Sequence, residues 1–271
     1  MTGAGRVAEA FARAKREGRG AVLPFVTAGD PSLEATLAVV RALAETGAAA
    51  IEIGIPYGDP LADGPAVAAA AHRALQRGTT IGGVLGVVHA AAADPAMPPL
   101  IAFTYANPIV QFGLDRFAAA FEAAGGSAAI VPDLPIEEAG PIRAALAARG
   151  IPLAQLVAPT TPLERAIRVA AASDGFVYLV SRLGVTGAAR EPDIAWIAER
   201  MAALRPQTTL PIAVGFGIAT AAHVRAVVAH ADGAIVGSAL VSAIAEASSP
   251  AAAAARARAY LAPLVAAAAH P

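Results

Sequence analysis

The chain has 271 residues, 56% of them hydrophobic, 15% charged and 5% aromatic, proportions that exclude a disordered or collagen-like polymer. Its formal net charge of -1 gives no electrostatic footprint for nucleic acid or an anionic membrane surface, both of which attract concentrated basic charge. Cysteine is absent, and Lys15 is the one lysine among 20 basic residues, so disulfides, thiolate nucleophiles and Cys-ligated zinc are excluded and a Schiff-base mechanism is disfavoured.

Mean hydropathy is +0.58, but Gly, Pro and Arg break every apolar run well short of the ~18 residues a membrane span needs. No apolar signal core opens the chain, so a soluble, cytoplasmic protein is expected.

A helix over 7–17 leads into a strand over 21–27, and from there strands and helices alternate. The pattern predicts a helix at 33–46, a strand at 49–55, a long connection at 56–80 and a helix at 81–93. Then come a strand at 100–105, a helix at 116–124, a strand at 128–133, a helix at 137–149, a strand at 153–158 and a helix at 163–172. The last units are a strand at 176–181, a second long connection at 182–193, a helix at 194–204, a strand at 212–215, a helix at 221–230, a strand at 234–237 and an alanine-rich helix at 251–268. Eight strand and helix units in unbroken alternation predict an α/β fold, a single-domain (β/α)₈ TIM barrel over 1–271, with the extra N-terminal helix closing its floor. An open doubly wound sheet is the competing architecture. Barrel enzymes carry their sites on the loops that follow the strands, which directs attention to the two long connections.

In the second strand, period-two alternation points Ile51, Ile53 and Ile55 at the helices and Ala50, Glu52 and Gly54 into the barrel. A carboxylate inside an apolar barrel has its pKa raised toward the range of general acid–base work. Asp63 lies 11 residues on, in a loop with three prolines and two glycines between Pro56 and Pro65. Such density specifies a loop path able to hold Asp63 above the barrel mouth opposite Glu52. Glycine segments follow the sixth, seventh and eighth strands: Gly184-Val185-Thr186-Gly187, Gly215-Phe216-Gly217 and Gly237-Ser238. Together they suit a phosphate cup of backbone N–H groups, with the Ser238 hydroxyl as an added donor. Phe25, Phe103, Ile130, Tyr105, Tyr178 and Phe216 adjoin different strand ends and, as a set, suit a flat aromatic substrate with a phosphorylated tail. The five histidines, His72, His89, His223, His230 and His270, have no metal-ligand spacing and read as solvated or capping helix residues.

Several stretches carry a resemblance: Pro24-Phe25-Val26-Thr27-Ala28-Gly29-Asp30-Pro31, Glu52-Ile53-Gly54-Ile55-Pro56-Tyr57-Gly58-Asp59-Pro60-Leu61-Ala62-Asp63-Gly64-Pro65, Tyr105-Ala106-Asn107-Pro108, Pro132-Asp133-Leu134-Pro135, Tyr178-Leu179-Val180-Ser181-Arg182 and the later glycine segments. On these motifs the chain resembles the tryptophan synthase α-subunit family. The resemblance implies cofactor-independent retro-aldol cleavage of indole-3-glycerol phosphate to indole and D-glyceraldehyde 3-phosphate. The partner it implies is a β subunit that alone carries PLP, in an α₂β₂ heterotetramer. It makes Glu52 the general acid–base group and Asp63 the acceptor of the indole N1 hydrogen, with Tyr178 beside Glu52 and Thr186 on a lid that meets Asp63. It places Gly187, Gly215, Gly217, Gly237 and Ser238 at the phosphate and Phe25, Phe103, Ile130 and Phe216 around indole. Asp59 and Pro60 then belong to a partner-facing loop, with Asn107 and Asp133 nearby. Gly58, Ala68 and Leu183 depart from the family pattern, the first two near the partner loop. The other readings are a stand-alone lyase releasing free indole, favoured by Gly58 and Ala68, and a silent barrel that only activates a β subunit, opposed by the intact Glu52 and Asp63.

Overall fold

The computed structural model describes residues 1–181 and 191–269. Eight parallel strands close into a barrel in sequence order: β1 (Ala21–Thr27), β2 (Ile51–Gly54), β3 (Leu100–Phe103), β4 (Ala128–Ile130), β5 (Leu153–Val157), β6 (Val177–Val180), β7 (Ile212–Gly215) and β8 (Gly233–Val236). Helix α1 (Gly3–Arg16) precedes them, followed by α2 (Leu33–Glu45), α3 (Pro65–Gln76), α4 (Ile81–Ala92), α5 (Ala106–Phe112) and α6 (Leu114–Ala123). The second half of the chain supplies α7 (Gly140–Ala147), α8 (Leu163–Ala172), α9 (Ile194–Leu204), α10 (Ala221–Val228), α11 (Ser238–Ala245) and α12 (Pro250–Ala267). The expected barrel is therefore the observed one.

Two apolar layers hold it. Ile51, Ile53 and Ile55 join Val39, Val40 and Leu43 of α2 in the layer between strands and helices, and each fully buried aliphatic side chain there contributes about 1.5–3 kcal/mol. The opposite strand faces fill the interior with Leu23, Ala50, Ile101, Ala154 and Phe176. Val7 and Phe11 of α1 join this inner layer, and the Phe11 ring lies 5.8 Å from Phe176, so α1 plugs the floor as expected. Arg6 fastens it by donating to the carbonyls of Gly125 and Met97 at 3.2 and 3.0 Å.

Three helices depart from the expected pattern. The connection over 56–80 contains α3, which starts where extended Gly64 hands over to Pro65 in the first turn, a position whose missing N–H costs nothing. Its inner face is Val67, Ala70, Ala71 and Ala74, so alanine hides its amphipathic signal. The short α5 follows β3 directly, and α11 begins at the serine expected only to close a phosphate loop. Conversely, β4 and α7 are shorter than expected. The segment between them turns twice, with Leu134 N–H donating to Val131 and Glu138 N–H to Pro135. Among the described residues no helix is long and apolar enough to cross a membrane.

Candidate active site

The C-terminal ends of the strands open into a cavity of about 410 Å³. Glu52 rises into it from β2, with Phe25 beside it across the β1–β2 pairing. The Glu52 side chain is 1% exposed, and its Oε1 has no hydrogen-bond partner among the described residues. Burial alone therefore pushes this carboxyl well above the usual range, which makes it a proton carrier rather than a fixed anion.

Tyr178 enters the same space from β6. Its hydroxyl occupies room that exists because residue 215 has no side chain: a Cβ on Gly215 would stand 2.2 Å from Tyr178 Oη. Burial, then the neighbouring Glu52 and Asp63 charges, push the Tyr178 phenol up, so the phenol stays protonated and available as a donor. Phe25 is accommodated in the same manner, since a Cβ on Gly54 would come within 2.5 Å of its ring. Phe25 and Phe103 meet edge to face at 5.3 Å and 79°, an aromatic wall beside the carboxylates.

Asp63 comes from the loop ahead of α3. Burial raises its carboxyl to about 6, while a hydrogen bond from Tyr105 pulls in the opposite direction. Tyr105 Oη accepts from the Ala62 N–H at 3.0 Å and donates to Asp63, which fixes the loop and its carboxylate together. Behind Tyr105, the Tyr57 ring lies 5.3 Å away, and Asn107 Nδ2 donates to Tyr57 Oη at 3.0 Å. Asp133 accepts from the Ala106 N–H at 2.9 Å and caps the start of α5. On the other side, Asp30, 2% exposed, receives Arg73 at 2.9 and 2.6 Å. This two-pronged ion pair, with Arg77 3.5 Å from the same carboxylate, ties α3 to the loop after β1.

In the loop after β7, Phe216 and Gly217 both adopt left-handed backbone, with φ of 74° and 75°. For Phe216 that conformation is strained and is held by its surroundings: Ser181 Oγ donates to its carbonyl, and its ring meets Tyr178 at 6.1 Å. Gly237 caps α11, and Ser238 opens it. Both line the cavity with Gly217, presenting the unpaired first-turn N–H groups of a helix to whatever binds.

Nine of the sequence-derived residues thus surround one cavity: Glu52, Asp63, Tyr178, Phe25, Phe103, Phe216, Gly217, Gly237 and Ser238. Gly215 lies behind Tyr178 rather than at the wall, and Ile130 is wholly buried in the barrel interior. Asp59 is exposed and Pro60 partly so, on the outer part of the loop. Thr186 and Gly187 lie outside the described residues. Sequence reasoning missed Thr220, His223 and Ser242 in the lining. The signal for His223 was its place three residues after a capping threonine, on the first turn of the helix that follows β7.

The match to known proteins spans nearly the whole chain. The family model described as tryptophan synthase alpha chain matches residues 11–269. The chain belongs to the tryptophan synthase alpha chain family. The alpha chain of Chloroflexus aggregans is 45% identical over 236 residues, 87% of this chain and 88% of that one. That of Xanthomonas euvesicatoria is 44% identical over 259 residues, covering 96% and 97% of the two chains. A solved structure of Mycobacterium tuberculosis tryptophan synthase superposes with a TM-score of 0.89 at 35% identity, covering 98% of this chain and 99% of that one. The barrel fold is thus shared with a solved tryptophan synthase.

Proposed function

We propose that this alpha chain cleaves indole-3-glycerol phosphate to indole and D-glyceraldehyde 3-phosphate, a lyase reaction that needs no cofactor in this chain. The observation that carries the reading is the shape of one cavity: two desolvated carboxyls and an aromatic wall at one end, glycine backbone and a helix N-terminus at the other. Indole suits the first end and the phosphate suits the second. Glu52, whose carboxyl burial pushes upward, delivers its proton to indole C3 while Asp63 accepts the N1 hydrogen, and the indolenine so formed is the electron sink. The carboxylate left on Glu52 then takes the proton of the glycerol hydroxyl beside the breaking carbon–carbon bond. The bonding electrons move through the ring to N1 as the aldehyde forms, and Asp63 returns its proton to N1, so neutral indole leaves and both carboxyls are restored. Tyr178, protonated and next to Glu52, supports these transfers by donating a hydrogen bond. Thr186 is assigned to a lid that meets Asp63, and Gly187 to the phosphate.

The partner in this reading is a tryptophan synthase β subunit that carries PLP, in an α₂β₂ assembly in the cytoplasm. The face that supports it is formed by the loop with Asp59 and Pro60 and by α5, where Leu61 is 73% and Val110 56% exposed. Apolar side chains this open, rimmed by polar ones, suit a protein interface.

The test is indole release by the purified chain supplied with indole-3-glycerol phosphate, with and without a β subunit. Indole should form in both conditions and faster with the β subunit. No cleavage in either would overturn the reaction, and equal, high turnover in both would assign a stand-alone lyase instead.

A further inference from the structure

A phosphate ester is a dianion near neutral pH, yet the described residues lining the cavity include Glu52, Asp63 and Glu191 and neither lysine nor arginine. With no cationic side chain among them, a phosphate held here depends on hydrogen-bond donors, from side chains as well as backbone N–H groups. Among the described lining residues, His223 is the side chain with a ring N–H to donate.

Its setting gives the imidazole a defined orientation. The Nδ1 atom accepts the Ala219 N–H at 3.3 Å, and the His223 N–H donates to Thr220 Oγ1 at 3.2 Å. With Nδ1 occupied as an acceptor, the proton of the neutral ring resides on Nε2. The ring is half-buried at the start of α10. The loop that leads into α10 is the one whose Phe216 and Gly217 line the same cavity. Imidazole and glycine turn are thus fixed relative to each other by one short segment of chain.

We propose that His223 is a further substrate-binding residue, whose Nε2–H is presented to the phosphate-bearing end of the substrate. The proposal rests on the functional reading above for the identity of that substrate, but its ligand chemistry is simply a phosphate monoester. A helix-capping imidazole would serve Ala219 alone and would leave ligand affinity untouched.

Calorimetric titration separates the two. The wild-type chain, His223→Leu and His223→Gln are titrated with sn-glycerol 3-phosphate and, separately, with indole. Leu keeps the bulk without a donor, and Gln restores a neutral N–H donor. Loss of a hydrogen bond to a charged group should weaken sn-glycerol 3-phosphate roughly tenfold in the Leu variant, with Gln recovering part of it. Indole affinity should stay unchanged, and in turnover KM should rise while kcat holds. Unchanged sn-glycerol 3-phosphate affinity in both variants overturns the proposal. So does an equal loss of indole affinity, or a wild-type chain that binds no sn-glycerol 3-phosphate. A wild-type chain that makes no indole overturns the reaction assigned above, while the phosphate-ester titrations still decide the role of His223.

Discussion

The two ends of the cavity are built on opposite physical principles. At the indole end, Glu52 and Asp63 are placed where water is scarce, and burial lifts both carboxyls out of their ordinary range. At the phosphate end, Gly217, Gly237 and Ser238 offer backbone N–H groups and a hydroxyl, whose donor character does not depend on pH. Proton transfer needs groups that can change charge, whereas phosphate retention needs groups that cannot lose their donors. On the proposed function, the contrast assigns the rate and its pH dependence to the carboxyls and affinity to the backbone donors.

The largest expected effect comes from removing the proton carrier. Glu52→Gln should lower kcat by about a thousandfold or more while leaving sn-glycerol 3-phosphate binding intact. A variant that retains most of its indole production would break the division between the two ends.

Gly215 gives a finer test, because it sits at the end of β7 beside the phosphate loop yet touches Tyr178. In Gly215→Ala the new Cβ collides with Tyr178 Oη, so kcat should fall by roughly ten- to a hundredfold as the phenol is displaced from Glu52. Phosphate-ester affinity should change little. The opposite outcome, a KM effect with kcat preserved, would return Gly215 to the phosphate end.

The smallest expected effect concerns Asp63. Its carboxyl sits at about 6, so protonation on the acid side removes the acceptor for the indole N1 hydrogen, and kcat/KM should fall as pH drops through that value. The Tyr105 hydrogen bond favours the charged form and holds the carboxyl down. Tyr105→Phe removes that donor, so the acid limb should move upward, by about half a unit to one unit. A limb that stays in place, or moves down, would show that Tyr105 does not govern Asp63.

Much of this arrangement was legible in the residues. β1 and β7 fall where their β-branched runs predicted, and the alternation of Ile51, Glu52 and Ile53 was sufficient to put the carboxyl inside the barrel. The period-two rule works there because one face of β2 meets helices and the other meets the interior. What escaped was built from residues with weak local signals. Helix α3 reads as loop because proline opens it and alanine lines its buried face. Asp30 looks like an ordinary turn aspartate until α3 is known to bring Arg73 to it, 43 positions along the chain. His223 looks like any polar residue in a helical first turn, since only closure of the barrel brings that turn to the cavity. The Gly215 reading was local too: the residue that fills its missing side chain comes from the preceding strand of the barrel.

Helices α3 and α11 pack against each other. One begins just after Asp63, and the other begins at Ser238. The buried residues are Val67, Ala70, Ala71 and Ala74 on α3 and Leu240, Val241 and Ile244 on α11, and Val67, Ala70 and Val241 belong to one apolar cluster. On the proposed function, the separation between Asp63 and Ser238, one for the ring nitrogen and one for the phosphate, follows from how closely these two helices approach. On that reading, the short alanine side chains buried on α3 bear on function indirectly, because bulkier residues there would push the helix outward and lengthen the span a substrate has to bridge.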